Sequence, residues 1–147
     1  MLFSHSLAET VNRIWNETET NETLDIKTQK ISYTFDHQET PFGLLIPLDS
    51  YKSEMNIICL NQSHAFITVP GELSCIYDRH LKQKGTELGY ENISIFGLTN
   101  DAHGYIILPE SLKHKTYEST LSFGGENYGE VIKDRAELLL TNNAPNK

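Results

Sequence analysis

Glu72 follows directly on a Pro70-Gly71 corner that closes the apolar run FITV, and a second apolar run, IFGL, breaks at Asn100-Asp101 and delivers His103 and Tyr105. A carboxylate and a phenol brought to one point can exchange protons with a substrate or hold a hard cation through oxygen. Both residues also fit plainer roles. A Glu after Pro-Gly serves as the first-turn acid of a helix, where the N-terminal dipole rewards it by under about 1 kcal/mol. Tyr105, between Gly104 and Ile106, fits a half-buried core aromatic. Around the pair, Asn100 either caps its own backbone through its side chain or lines a site. Asp101 is a candidate acceptor behind that site. His103 lies two residues before Tyr105, which in an extended segment places both side chains on one side; a surface loop histidine is the other reading. His64, at the far end of its strand from Glu72, is expected to be structural or solvated. His80, two turns into the next helix, and His114, in the charged LKHKTYE segment, are expected to be solvated, and His5 and His37 carry no pattern.

Such a site needs strands to aim the two residues. MNIICLNQSHAFITVP reads as two apolar strands joined by a tight turn at Asn61-Gln62. In LDIKTQKISYTF, Ile31, Tyr33 and Phe35 alternate with polar residues as in a half-buried strand. NISIFGL is a near-continuous apolar run, as expected of a strand covered on both faces. Between them Leu73, Ile76, Tyr77, His80, Leu81 and Lys84 fall in helical register, with Gly85 or Gly89 available to close the helix in a left-handed cap. Pro109 in LPESL starts a helical turn, Gly124 and Gly125 supply a turn, and a last helix is predicted from about Asn127 to Leu140. DHQETPFG reads as a loop and TNNAPNK as a frayed tail. At the other end Leu7, Val11, Ile14 and Trp15 form the stripe of a short amphipathic helix that docks through one face, followed by the polar linker NETETNET.

Hairpin, helix, strand, helix in this order predicts an α/β fold with a mixed sheet and helices packed on it. The expected organisation is one partial domain over residues 1–147: helix and linker to residue 23, an α/β core over 24–140, and the tail. Parallel neighbours need a crossover of a dozen or more residues, and the helix after Glu72 is long enough to join the strand ending at Val69 to the strand ending at Leu98. Glu72 and Tyr105 should then face one concavity, within about 6 Å of each other if both are donors to one ion, with Asn100 beside them and His64 elsewhere.

The net charge of −8 and scattered basic residues exclude a nucleic-acid surface. Cys59 and Cys75 form no C-x-x-C pair and read as small apolar residues. The N-terminal segment lacks the basic and apolar regions of a signal peptide, and no window approaches a membrane span. Four N-x-S/T triplets, at Asn16, Asn21, Asn61 and Asn92, are what a chain rich in Asn, Ser and Thr produces by chance.

VPGEL, IFGLTNDAHGYIILPESL and TYESTLSFGGENYGEVI resemble, in order and spacing, the later part of the catalytic domain of neutral/alkaline non-lysosomal ceramidases. The resemblance runs from about Ile57 to Leu140 and is strongest over Phe96 to Glu118. It implies the later half of a larger catalytic domain, an amidase that hydrolyses N-acylsphingosine to sphingosine and fatty acid at a zinc ion. It further implies that Glu72 and Tyr105 match zinc ligands and that Tyr117-Glu118 matches a Tyr-Glu pair ordering the segment around Tyr105. Zinc would lower the pKa of a bound water and polarise the amide carbonyl. The histidine ligands of that family come from earlier motifs that nothing here resembles, so a separate chain carrying them is the implied partner, with a lipid amide as the implied substrate. Without such a partner the chain is expected to be inactive. The alternatives are a non-catalytic remnant or a small α/β binding domain without metal. A chain of this kind is also expected to expose an apolar face where its sheet would continue.

Overall fold

The computed structural model describes residues 2–20, 23–35 and 51–145. His37 and the DHQETPFG loop lie outside them. The core is a four-stranded sheet in the order β1 (Ile26–Phe35), β2 (Tyr51–Leu60), β3 (His64–Thr68), β5 (Asn92–Phe96). The first three strands are antiparallel neighbours. The β2–β3 hairpin turns at Asn61 (φ 50°) and Gln62 (φ 58°), consecutive left-handed residues whose twist matches that of paired strands. β3 and β5 run parallel, with Ile67 opposite Ile95.

The crossover between them is α2 (Cys75–Glu87), where the Ser74 hydroxyl accepts the Ile76 N–H as N-cap. Gly89 at φ +95° follows its C-terminus, as expected of a left-handed closure. Gly85 has a different task from closing the helix. It lies within it and buried, and a Cβ there would strike the Ile93 side chain at 1.6 Å, so its lack of a side chain lets α2 settle on β5.

Strand alternation sorts the sheet into two faces. Met55, Ile57, Cys59, Ala65 and Ile67 point to one face and are buried beneath α2 and α5 (Tyr128–Asn142), together with Leu81, Ile132, Ala136, Leu139 and Leu140. Full burial of each large aliphatic side chain contributes roughly 1.5–3 kcal/mol. The other face carries no helix among the described residues. This corrects the expectation for NISIF: β5 is an edge strand, only Ile93 and Ile95 are half-buried, and Asn92, Ser94 and Phe96 are exposed. A near-continuous apolar run cannot by itself distinguish a doubly covered strand from a one-sided edge.

The predicted frayed tail is also corrected. α5 runs on to Asn142, and Asn143 and Ala144 are buried. The Asn143 amide donates to Gln29 Oε1 at 2.6 Å and to the Leu139 carbonyl at 2.9 Å, tying the chain end to β1. α1 (Leu2–Glu17) forms where its period predicts, but its stripe is not docked: Leu7, Val11, Ile14 and Trp15 are all exposed.

Candidate functional site

Beyond the sheet, the chain makes a second, two-stranded parallel ladder. β4 (Glu72–Leu73) pairs with β6 (Tyr105–Ile106), and Glu72 stands directly opposite Tyr105. Register partners on adjacent strands share a face and bring their Cβ atoms to about 5 Å. The Glu72 N–H donates to the Gly104 carbonyl and the Ser74 N–H to the Ile106 carbonyl, both at 2.9 Å. Gly71 makes this approach feasible, since a Cβ there would lie 2.5 Å from the Gly104 carbonyl oxygen. The Pro-Gly corner therefore ends the β3 segment and seats β4 against β6.

Tyr105 is held from its other side as well. Its N–H donates to the Leu121 carbonyl at 3.0 Å, and Gly104, at φ +71°, bridges Ser122. The Tyr105 ring meets the Tyr117 ring edge-on, with centroids 5.9 Å apart and planes at 71°. Tyr117, the first residue of α4 (Tyr117–Thr120), is itself exposed and supports Tyr105 from outside.

Glu72 and Tyr105 open onto one cavity of about 480 Å³. Glu118 and His114 also line it, with the hydroxyls of Ser74, Ser111 and Thr116 and an apolar floor of Leu73 and Ile107. The Tyr105 phenol is pushed above its ordinary value, first by burial and then by the negative charge of Glu72, with Tyr117 and Glu118 adding less. Glu118 is held below the usual carboxylate range by its own backbone N–H and by the Thr116 hydroxyl. His114 is exposed, as expected, yet it lines the cavity, which the sequence reading missed. Its segment looked like a solvated charged loop. The signal available was the proline-started turn α3 (Pro109–Leu112) just after β6, whose Ser111 also lines the cavity.

Asn100, Asp101 and His103 do not join this cavity. Asn100 (φ 68°) and Asp101 line a separate hollow of about 450 Å³ with Ser32, Lys52, Ser53 and Glu54. The expectation that Asn100 sits beside Glu72 and Tyr105 therefore does not hold: a left-handed backbone turns its amide toward the Glu54 carbonyl, 3.5 Å away. The Ser53 hydroxyl donates to Asp101 Oδ2 at 2.8 Å. His103 is buried rather than on the surface. Its Nδ1 meets the Tyr128 hydroxyl, its Nε2 lies 3.5 Å from Asp101, and its N–H donates to the Pro70 carbonyl at 2.8 Å. The residue thus fastens the β5–β6 loop to the Pro-Gly corner and to α5. Its imidazole is pushed below its ordinary value by burial, partly opposed by Asp101.

His64, His80 and His5 do not line the Glu72–Tyr105 cavity. His64, at the start of β3, contacts Ser63 at 2.7 Å and Asn92 at 3.1 Å. His80 meets Glu137 at 2.6 Å on α5, and His5 pairs with Glu9 on α1 at 3.7 Å. Among the described residues, no three His, Cys, Asp or Glu side chains converge closely enough to hold a metal ion. The Glu72–Tyr105 pair supplies hard oxygen donors of the type zinc accepts, but the described donor set does not complete a zinc site. No described helix is long and apolar enough to cross a membrane.

No protein-family model matches the sequence, and no curated protein does either. Solved structures of similar fold include two ceramidases. Neutral ceramidase from Pseudomonas aeruginosa aligns over 61% of this chain with a TM-score of 0.55 and 12% identity. A ceramidase complexed with C2 aligns over the same share with the same score and identity. The likeness is one of fold. The alignments cover only 15% and 14% of those chains, so this chain corresponds to a small part of each.

Proposed function

We propose that this chain contributes one wall of a ceramidase-like amidase site. In this reading Glu72 and Tyr105 are two oxygen donors to a zinc ion, another chain carries the histidine donors, and the substrate is a lipid amide. The supporting observation is the pairing of Glu72 with Tyr105 over one cavity, in a fold similar to part of neutral ceramidase. Two donors are half of what four-coordinate zinc takes. The chain alone should therefore bind zinc weakly and leave N-acylsphingosine intact. A metal-free α/β binding domain is the second reading, in which Glu72 and Tyr105 line the cavity without an ion.

Cobalt titration, with imidazole added to stand in for the missing histidines, separates the two. Under the amidase reading, imidazole strengthens cobalt binding at least tenfold and brings up a tetrahedral cobalt spectrum. Glu72→Gln and Tyr105→Phe each abolish that gain. Cobalt binding that ignores imidazole, or is unchanged in both variants, supports the metal-free domain.

A further inference from the structure

Two apolar surfaces of this chain are left uncovered among the described residues. The first is the α1 stripe, where Leu7, Val11, Ile14 and Trp15 are 57%, 55%, 53% and 80% exposed. The second is the helix-free face of the sheet. The strand registers set Ile26, Leu60, Ile58, Phe66 and Phe96 in a diagonal band across its four strands. Phe66 and Phe96 stack there at 5.5 Å, while Ile26 and Phe96 are about half exposed.

Several polar side chains on the sheet face are already paired with one another, so covering them strands fewer hydrogen-bonding groups. On the sheet, Lys30 binds Glu54 at 3.0 Å, the Asn56 amide donates to Thr68 at 3.3 Å, and Asn92 meets His64 at 3.1 Å. On α1, the Arg13–Glu17 ion pair at 2.8 Å lies on the side away from the stripe. A helix of sixteen residues is about 24 Å long, a length that fits along the ten-residue strands β1 and β2.

We infer that α1 of one copy docks on the open sheet face of a second copy, and the reverse, in a two-fold exchanged dimer. Each copy carries both halves of the contact, so a second copy satisfies both surfaces at once through one symmetric operation. The exposed side chains of the stripe and the band offer roughly 800–1,000 Å² per copy, and two reciprocal contacts reach the size of stable complexes, about 1,200–2,000 Å² in total. The segment before β1 leaves from the hairpin end of the sheet, where Asp25 and Asn61 exchange hydrogen bonds at 2.9 Å. This inference does not depend on the metal reading of the Glu72 site.

The test uses the full chain in sedimentation equilibrium, with fluorescence from Trp15, its single tryptophan, as the local probe. Dimers should form with a blue shift of Trp15 emission that grows with concentration. Val11→Asp and Phe96→Asp, both at exposed positions, should each weaken the dimer about 100-fold with unchanged circular dichroism. A monomer at every concentration overturns the inference, whether Trp15 is exposed or buried against its own sheet. So does a dimer indifferent to Val11→Asp, which would indicate sheet-to-sheet contact, or one indifferent to Phe96→Asp, which would indicate helix-to-helix contact.

Discussion

Replacing Gly104 by alanine should disturb the candidate site more than any comparable change at a surface glycine. At φ +71° an alanine pays the left-handed penalty, on the order of 1–2 kcal/mol. Its Cβ would also lie 1.9 Å from the Leu121 carbonyl oxygen and 3.0 Å from the Phe123 ring. The nearest obstacle is backbone, so the clash is relieved only by moving β6 away from residues 121–122. That strains the Tyr105 N–H bond to Leu121, worth about 1 kcal/mol. The sum is a loss of roughly 2–4 kcal/mol. Gly89→Ala is the internal control, because Gly89 has a similar positive φ of +95° while its nearest obstacle, Pro145 Cβ, is 4.0 Å away. It should show the conformational penalty alone, about 1 kcal/mol. Urea unfolding of both variants reads the difference, expected to be at least about 1 kcal/mol. Equal losses in the two would mean that β6 does not pack against the Leu121 segment as described, and the placement of Tyr105 would fall with it.

Stability should also depend on pH through His103. Burial lowers its folded pKa below the unfolded 6.5, so its contribution is complete above the unfolded value. It is lost as the pH falls from there through the folded pKa, because the unfolded chain then binds more protons. Urea midpoints between pH 7.5 and 5 should decline in the wild type and decline less in His103→Gln; parallel slopes would refute this. Asn143→Ala should cost about 1–3 kcal/mol through the loss of its bonds to Gln29 and Leu139, and a neutral result would return the chain end to the frayed state that the sequence suggested.

Local chemistry made the central elements legible. The Asn61-Gln62 turn and the spacing of α2 were readable because each is set by residues within a few positions of one another, and a crossover of that length let β3 and β5 run parallel. The β4–β6 ladder was not foreseen as a separate pairing. Two-residue strands have no periodicity, and their meeting depends on Gly71 and Gly104 allowing close backbone approach. The placements of Asn100 and His103 escaped notice for a related reason: left-handed residues at Leu98 and Asn100 redirect the loop, and of the groups that hold His103, Tyr128 is distant in sequence and the Pro70 carbonyl is on the backbone. His114 was missed because its charged segment carries no pattern of its own, and the cue lay in the proline-started turn before it.

The most direct test of the site is the ionisation of the Tyr105 phenol, followed through tyrosine Cζ chemical shifts by NMR and assigned with Tyr105→Phe. If Glu72 and Tyr105 face each other across β4 and β6, the wild-type phenol titrates above its ordinary value of about 10, and Glu72→Gln brings it down by removing the neighbouring negative charge while burial still holds it up. A Tyr105 that titrates identically in the wild type and in Glu72→Gln would contradict a shared site.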